Sequence, residues 1–280
     1  MVLVVDVGNT ETVIGLFPPG SLQALRVWRI STPVPRTPDE YELLLHGFLD
    51  PMLQGGELTQ AVVGSVVPSL TEAILEALQR FTPTQVLRVD ADTPLPISLE
   101  VDEPSTVGAD RIVNTLAVAQ LFRKDSVVVD LGTATTYDCI TAEGQFRGGV
   151  IAPGVLAGQE WLAQRTAKLP RVELVPPRKV IGTRTETCLH SGIFYSSVDA
   201  MDGIVERIQR EWGEEPLLVV ATGGLASVLG PHARTIHRVE PALTLMGLVL
   251  AGAYVAESGP AGLDSLVHSY SSSPAHRVVS

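Results

Sequence analysis

Residues 126–140, SVVVDLGTATTYDCI, constrain the fold more than any other stretch, because an apolar run ends there in an aspartate, a glycine and a series of hydroxyls. Val127–Val129 read as a buried strand, and Asp130 stands where that strand runs out. A carboxylate at such a place costs desolvation energy unless a cation or hydrogen-bond donors meet it, so Asp130 is expected to face a site. Gly132 permits a tight turn, and Thr133, Thr135 and Thr136 add small hydroxyls beside backbone N–H groups, a combination that suits an anion. Taken alone, the segment is better explained as a hairpin that uses Asp-x-Gly as turn chemistry.

The segment has a twin at the start of the chain. Val4-Val5-Asp6-Val7-Gly8-Asn9-Thr10-Glu11-Thr12 aligns with Val128-Val129-Asp130-Leu131-Gly132-Thr133-Ala134-Thr135-Thr136, sharing the valine pair, the aspartate, the glycine and the last threonine. Two apolar strands that each open a glycine-turned, hydroxyl-rich hairpin predict a duplicated domain. A chain of 280 residues accommodates two ordinary cores. The expected boundaries are residues 1–115, 116–260 and a tail at 261–280, whose serine-rich end from His268 reads as weakly ordered.

The order of elements gives the architecture. Val2–Asp6, Glu11–Phe17 and Leu25–Ile30 read as a three-stranded meander. Thr37-Pro38-Asp39-Glu40 is a capping box with proline at the first helical position, and Tyr41, Leu44, Leu45 and Phe48 line one face of the helix it starts. A short strand at 62–65 ends in small residues; a helix striped by Leu70, Ile74, Ala77, Leu78 and Phe81 and a strand at 86–89 follow. Meander, helix, strand, helix, strand is the order of a ribonuclease-H-like α/β half. From 90 to 104 the chain is polar and proline-punctuated, as a surface segment would be.

The second half is predicted in the same way. Gly108 to Arg111 open a helix through Leu121, with Asp110 either an N-cap or a catalytic group and Arg111 readable as merely solvated. The stretch 148–154 is strand-like with glycines at both ends, which fits close approach to a ligand or a twisted strand. Helices are expected at 156–169 and from 191 to beyond Met201, separated by a proline-rich connector at 170–179. A buried strand at 217–221 empties into Thr222-Gly223-Gly224, small residues that admit a ligand or cap a turn.

Composition removes several functions. The net charge is −11, lysine occurs only at 124, 168 and 179, and no G-x-x-x-x-G-K-[ST] exists, which excludes a P-loop and argues against nucleic acid as a partner. Cys139 and Cys188 form neither a C-x-x-C nor a disulfide framework and sit among apolar or small residues, so each reads as a packed residue in a reducing compartment. The N-terminus lacks a secretory pattern, and the longest apolar run, 242–256, is short of the roughly 20 residues a membrane span needs. A cytoplasmic protein with no membrane partner is expected.

Four glycine and hydroxyl clusters, at Asp6, Asp130, Gly149 and Gly223, each follow a strand, and in a two-domain protein they are expected to converge on a central cleft that takes a phosphate-bearing ligand. DVGNTETVIGLF, RISTPVPRTPDEY, GADRIVNTLAVA, DLGTATTYD, GGVIAPG, AKLP, TRTETCLHSGIFY and ATGGLA, in this order over residues 2–256, resemble type III pantothenate kinase of the acetate and sugar kinase, heat-shock protein and actin superfamily. The resemblance implies two ribonuclease-H-like, actin-like domains and ATP-dependent phosphorylation of pantothenate to 4′-phosphopantothenate, the first step of coenzyme A biosynthesis. It implies ATP phosphates on Asp6, Val7, Gly8, Asn9, Thr10, Glu11, Thr12 and Val13, with Asp6 near Mg²⁺, and ATP contact from Thr133. It also implies Asp110 as proton acceptor, pantothenate along Gly108, Ala109, Asp110, Arg111 and Thr185, and a monovalent cation, K⁺ or NH₄⁺, on Asp130. A homodimer is implied too.

Three positions depart from that pattern. Val101 stands where many members have a tyrosine, His190 replaces a usual glutamine, and Glu11 brings a charge beside the phosphate loop. A helix start is expected to depress the pKa of Asp110. The alternative to a kinase is an accessory transcription regulator or a non-catalytic nucleotide-binding protein of the same fold.

Overall fold

The structure, a computed structural model, describes residues 1–166, 168–213, 215–257 and 259–272. Strands β1 (Val2–Val7), β2 (Glu11–Phe17) and β3 (Arg26–Ser31) form the meander, followed by α1 (Pro38–Leu53), β4 (Gln60–Ser65), α2 (Pro68–Phe81) and β5 (Val86–Val89). A two-residue strand, β6 (Ser98–Leu99), precedes α3 (Ala109–Phe122). Then come β7 (Ser126–Leu131), β8 (Ala134–Ile140), β9 (Gln145–Pro153), α4 (Val155–Arg165), α5 (Thr185–Trp212), β10 (Leu218–Thr222), α6 (Ala226–Leu229) and β11 (Arg238–Val239). The chain closes with α7 (Leu243–Ala256) and α8 (Ala261–Ser272).

Two compact units result, one of residues 1–123 with the chain from 244 onward, the other of residues 124–243. In the first, the strands run β3-β2-β1-β4-β5, with β1, β2 and β3 antiparallel and β1, β4 and β5 parallel. In the second, β9-β8-β7-β10-β11 repeats that arrangement strand for strand. The repeated D-x-G segments thus mark two copies of one ribonuclease-H-like topology, with Asp6 and Asp130 each the penultimate residue of a central strand.

Alternation along β1 assigns its two faces. Leu3, Val5 and Val7 pack with Tyr41, Leu45 and Leu49 of α1 and Ile74, Ala77 and Leu78 of α2, whose capping box forms as the sequence predicts. On the other face α7 lies close because glycines leave room: a Cβ on Gly15 would meet both Val4 and Leu245, and one on Gly252 would come within 2.6 Å of Val62. A Cβ on Gly247 would come 2.2 Å from the Val113 carbonyl, so α7 and α3 touch backbone to backbone. In the second unit α5 packs Phe194, Val198, Met201 and Val205 against Val127, Val129, Val219 and Ala221.

Several expectations give way. A boundary at 115/116 would cut α3 through its buried run Ile112–Ala119, which belongs to the first unit. Residues 261–272, assigned to a tail, form α8, because Leu263, Leu266 and Tyr270 fall on one helical face and are buried; residues 273–280 lie outside the described ones. Helix α4 stops at Arg165, and α5 begins six residues early, at Thr185, because Thr187 accepts from the Thr183 and Arg184 N–H groups and starts the helix there. Cys139 is buried as expected, but Cys188, in that extra turn of α5, is exposed.

One buried carboxylate ties the second unit together. Asp202 of α5 accepts from the Arg234 N–H (3.2 Å) and Nε (3.1 Å) and from the Thr235 N–H and hydroxyl (both 2.9 Å). Burial alone would raise its pKa, but these four donors outweigh it and hold the carboxyl below its ordinary value. A folded-state pKa below the unfolded one means stabilisation that is complete above about pH 4 and is lost as pH falls through the folded value. Asp202→Asn should therefore cost about 2 kcal/mol at neutral pH, with the gap to wild type closing below about pH 4, as urea midpoints across that range would measure.

Candidate functional site

In the first unit, one edge of the sheet gathers the segments that carry chemistry. Strand β1 ends at Val7, and the chain turns over Gly8, Asn9 and Thr10, with the Gly8 N–H donating to the Glu11 carbonyl at 3.1 Å. Asn9 and Thr10 are exposed at the tip, whereas Val7 and Thr12, cross-strand partners, are buried. Any contact that Val7 or Thr12 makes with a ligand must therefore come from the backbone. Glu11 does not aim its charge along the loop unpaired: its carboxylate meets the Arg29 guanidinium at 3.0 Å.

Asp6 is flanked by Val13 of β2 and Gly64 of β4. Gly64 lets α3 begin directly over the end of β4, since a Cβ there would lie 3.5 Å from the Ala109 Cβ and 3.1 Å from Leu248. The next residue but one, Val66, donates its N–H to the Val7 carbonyl at 3.0 Å, and its side chain stands 3.0 Å from where a Cβ on Gly108 would be. The hairpin from Asp6 to Val13 and the run Gly108, Ala109, Asp110 and Arg111 are thus brought to the same end of one sheet. Gly64 and Val66 are the residues missed in the sequence; the small pair Gly64-Ser65 closing a buried strand was the available signal.

Asp110 is not the N-cap. Gly108 holds that position, with φ −64 and ψ 149, and Asp110 sits in the first turn, where Oδ1 accepts from the Arg111 N–H at 2.8 Å. A side chain on Gly108 would come within 2.6 Å of that oxygen, so glycine is what lets the carboxylate fold back over the helix start. The pKa of Asp110 is raised: burial outweighs the pull of the Arg111 N–H and the Arg111 guanidinium. This reverses the expected depression by the helix start, because desolvation by burial is the largest influence on the carboxylate. Arg111, half-buried and acting on Asp110, is not a merely solvated side chain. Val101 is half-buried at the bend after β6.

In the second unit, glycines close around Asp130. Thr222 is its parallel neighbour, fully buried with a hydroxyl that lacks a hydrogen-bond partner among the described residues. Gly223, at φ +90, passes so near that a Cβ would lie 2.4 Å from Asp130 Oδ1. Gly154, at the start of α4, approaches the carbonyl of Thr133, whose side chain is exposed at the hairpin tip. Gly149 serves the sheet rather than a ligand: a Cβ would collide with the Tyr137 carbonyl of β8, which settles the strand reading of 148–150. Thr185 opens α5, exposed, and lines an apolar groove with Trp161, Leu162 and Cys188 between α4 and α5.

Comparison with known proteins comes out on one side. A family model described as type III pantothenate kinase matches residues 2–207. Type III pantothenate kinases of Moorella thermoacetica and Syntrophotalea carbinolica are 42% identical over 251 residues and 44% identical over 253, covering 89% of this chain and 97% and 96% of theirs. Among solved structures, a conserved putative Baf family transcriptional activator from Campylobacter jejuni matches with a TM-score of 0.58 at 17% identity, over 91% of this chain and 98% of its own. The activator of the 2-hydroxyisocaproyl-CoA dehydratase from Clostridium difficile, with bound ADPNP, matches with a TM-score of 0.53 at 12% identity, over 92% and 96%. Likenesses at that identity show the fold, and the fold alone.

The raised pKa of Asp110 has a stability consequence that separates a working carboxylate from a structural cap. An acid whose folded-state pKa lies above the unfolded one stabilises the fold below about pH 4 and loses that contribution as pH rises through the folded value. At neutral pH the charged, desolvated group is therefore a net cost. Asp110→Asn should raise the melting temperature at pH 7, and the difference should vanish toward about pH 4; a fall at pH 7 would mean that the hydrogen bond from the Arg111 N–H outweighs desolvation and that the carboxylate is structural.

Proposed function

Because this chain belongs to the type III pantothenate kinase family, its reaction is the ATP-dependent phosphorylation of pantothenate to 4′-phosphopantothenate, and we propose that Asp110 orients and deprotonates the attacking hydroxyl. The single observation that carries this is a carboxylate with a raised pKa, held by Gly108 at the sheet edge where the Asp6 hairpin also ends. Removal of a proton late in a loose transition state asks for positioning first, and a pKa moved toward neutrality adds basicity at little further cost.

The phosphates of ATP lie along residues 6–13, met by backbone N–H groups at Asn9 and Thr10 and by the side chains that remain exposed there. Among the described residues no cluster of three or more His, Cys, Asp or Glu could hold a metal on its own. Mg²⁺ that enters with ATP needs only one or two carboxylates besides phosphate oxygens, so Asp6 suffices. For the monovalent cation, K⁺ or NH₄⁺, the Asp130 carboxylate and the Thr222 hydroxyl, which has no hydrogen-bond partner among the described residues, are oxygen donors of the right kind, and Thr133 beside them serves ATP. A cation there supplies charge that a chain with three lysines does not. Gly108, Ala109, Arg111 and Thr185 contact pantothenate.

The protein works as a cytoplasmic homodimer in this reading. Ile151, Leu156, Trp161, Val180 and Ile181 are large apolar side chains left exposed on the second unit, the kind of surface a second copy covers. No described helix is long and apolar enough to cross a membrane. The regulatory alternative draws on the printed title of the Campylobacter structure, but its 17% identity bears on fold only, while both acidic residues a pseudo-enzyme would lose are kept.

A coupled ADP-release assay with and without pantothenate tests the reading. ADP should appear only with pantothenate, and Asp110→Asn should lower kcat by a factor on the order of 10² or more. Release that ignores pantothenate, or an active Asn variant, rejects it. Turnover should also need K⁺ or NH₄⁺ and fail with choline as the sole monovalent cation; equal rates in Na⁺, K⁺ and choline would remove the cation from Asp130.

A further inference from the structure

We propose that Thr32 is a positioning residue for the phosphate hairpin, fixing its second strand from outside the segment that touches ATP. The inference rests on the hairpin reading above and adds a residue to it. Thr32 follows β3 in the run RISTPVPRTPDEY, which the function so far leaves without a role. It clamps the hairpin twice. Its backbone N–H donates to the Thr10 carbonyl at 3.0 Å, and its hydroxyl shares a 2.9 Å hydrogen bond with the hydroxyl of Thr12. Thr12 and Thr32 are 1% and 3% exposed, so this bond does not compete with water.

Packing leaves room on one side of Thr12, where a small apolar cavity lies against it, lined also by Val5, Ile30, Tyr41 and Leu45. A Thr12 side chain released by Thr32 has space to turn toward that apolar wall and, among the described residues, no polar group on it to hold it. Turning it would tilt the strand that begins at Glu11, whose carbonyl receives the Gly8 N–H. The hairpin tip would then lose the spacing between its ends. Thr32 is itself fixed by its surroundings: Arg36 donates to the Ser31 carbonyl at 2.7 Å and to the Val34 carbonyl at 3.2 Å and sits 6.0 Å over the Tyr41 ring. The segment from 31 to 41 is thus a strap, braced on α1, that carries one hydroxyl to the back of the phosphate loop.

The test uses the full-length protein and separates ATP from pantothenate. Thr32→Val keeps shape and backbone donor but removes the hydroxyl; KM for ATP should rise about 5- to 20-fold, KM for pantothenate should stay within about twofold, and Thr32→Ser should restore most of the loss. Thr12→Val removes the same bond from the other end, should behave alike, and stands in for Thr32→Val if that variant does not fold. Combined, the two changes should be no worse than either alone. Equal defects in the Val and Ser variants, parallel rises in both KM values, or an unchanged KM for ATP would overturn the role of Thr32. Gly8→Val, whose side chain would press on the Glu11 carbonyl, guards the underlying reading: if it too leaves KM for ATP unchanged, the hairpin is not the phosphate cradle; if it raises KM while Thr32→Val does not, only the clamp fails.

Discussion

Everything distinctive in this structure follows from placing a carboxylate at the end of a buried central strand. Asp6 and Asp130 each close a strand that is buried on both faces, so their charge has only one outlet, the edge of the sheet beyond the strand. The shared strand order puts a parallel strand on one side of the acid and an antiparallel hairpin on the other. Both neighbours therefore deliver their own ends or turns to the same edge. What they deliver is small, Gly64 and Gly8 in one unit, Thr222 and Gly223 in the other: the room at Gly64 goes to Ala109 and Leu248, and the room at Gly223 goes to the Asp130 carboxylate itself.

A turn of small residues at such an edge can present main-chain N–H groups to an anion without long cationic side chains. An acidic chain with three lysines would otherwise repel a polyphosphate. Fixed dipoles also need no reorganisation when charge moves during phosphoryl transfer. At Asp110 burial is the largest influence and raises the pKa, against the opposing pull of backbone N–H groups and of the Arg111 guanidinium.

The parts legible in the sequence were those encoded by local pattern. The β1–β2 and β7–β8 hairpins follow from apolar runs meeting D-x-G, and α1 from a capping box with proline behind it. The duplication was legible because two such hairpins align. Illegible were features set by distant partners. Burial of Asp110 depends on what packs over the start of α3, so the helix-start argument alone predicted the wrong direction. Gly149 could not be told from a ligand-facing glycine without its cross-strand partner. Serines concealed α8, although Leu263, Leu266 and Tyr270 already had helical spacing, and the exposure of Cys188 turned on where α5 begins.

The return of the chain to its first unit has the least local encoding and the most direct bearing on Asp110. Helix α7 has no polar face; from Leu245 to Ala251 its residues are buried nearly throughout. A helix of that kind has to be enclosed, and glycines on both sides of the contact decide by what: Gly15 receives Leu245, Gly64 receives Leu248, Gly247 meets the Val113 backbone, and Gly252 meets Val62. Thr244 adds a 3.0 Å hydrogen bond to the buried Asn114 of α3. Because Gly64 also touches Ala109, the residue before Asp110, one helix from the far end of the chain sets the height of α3 over β4. The position of the carboxylate is therefore a property of the closed unit, and the motif around Asp110 does not supply its own placement.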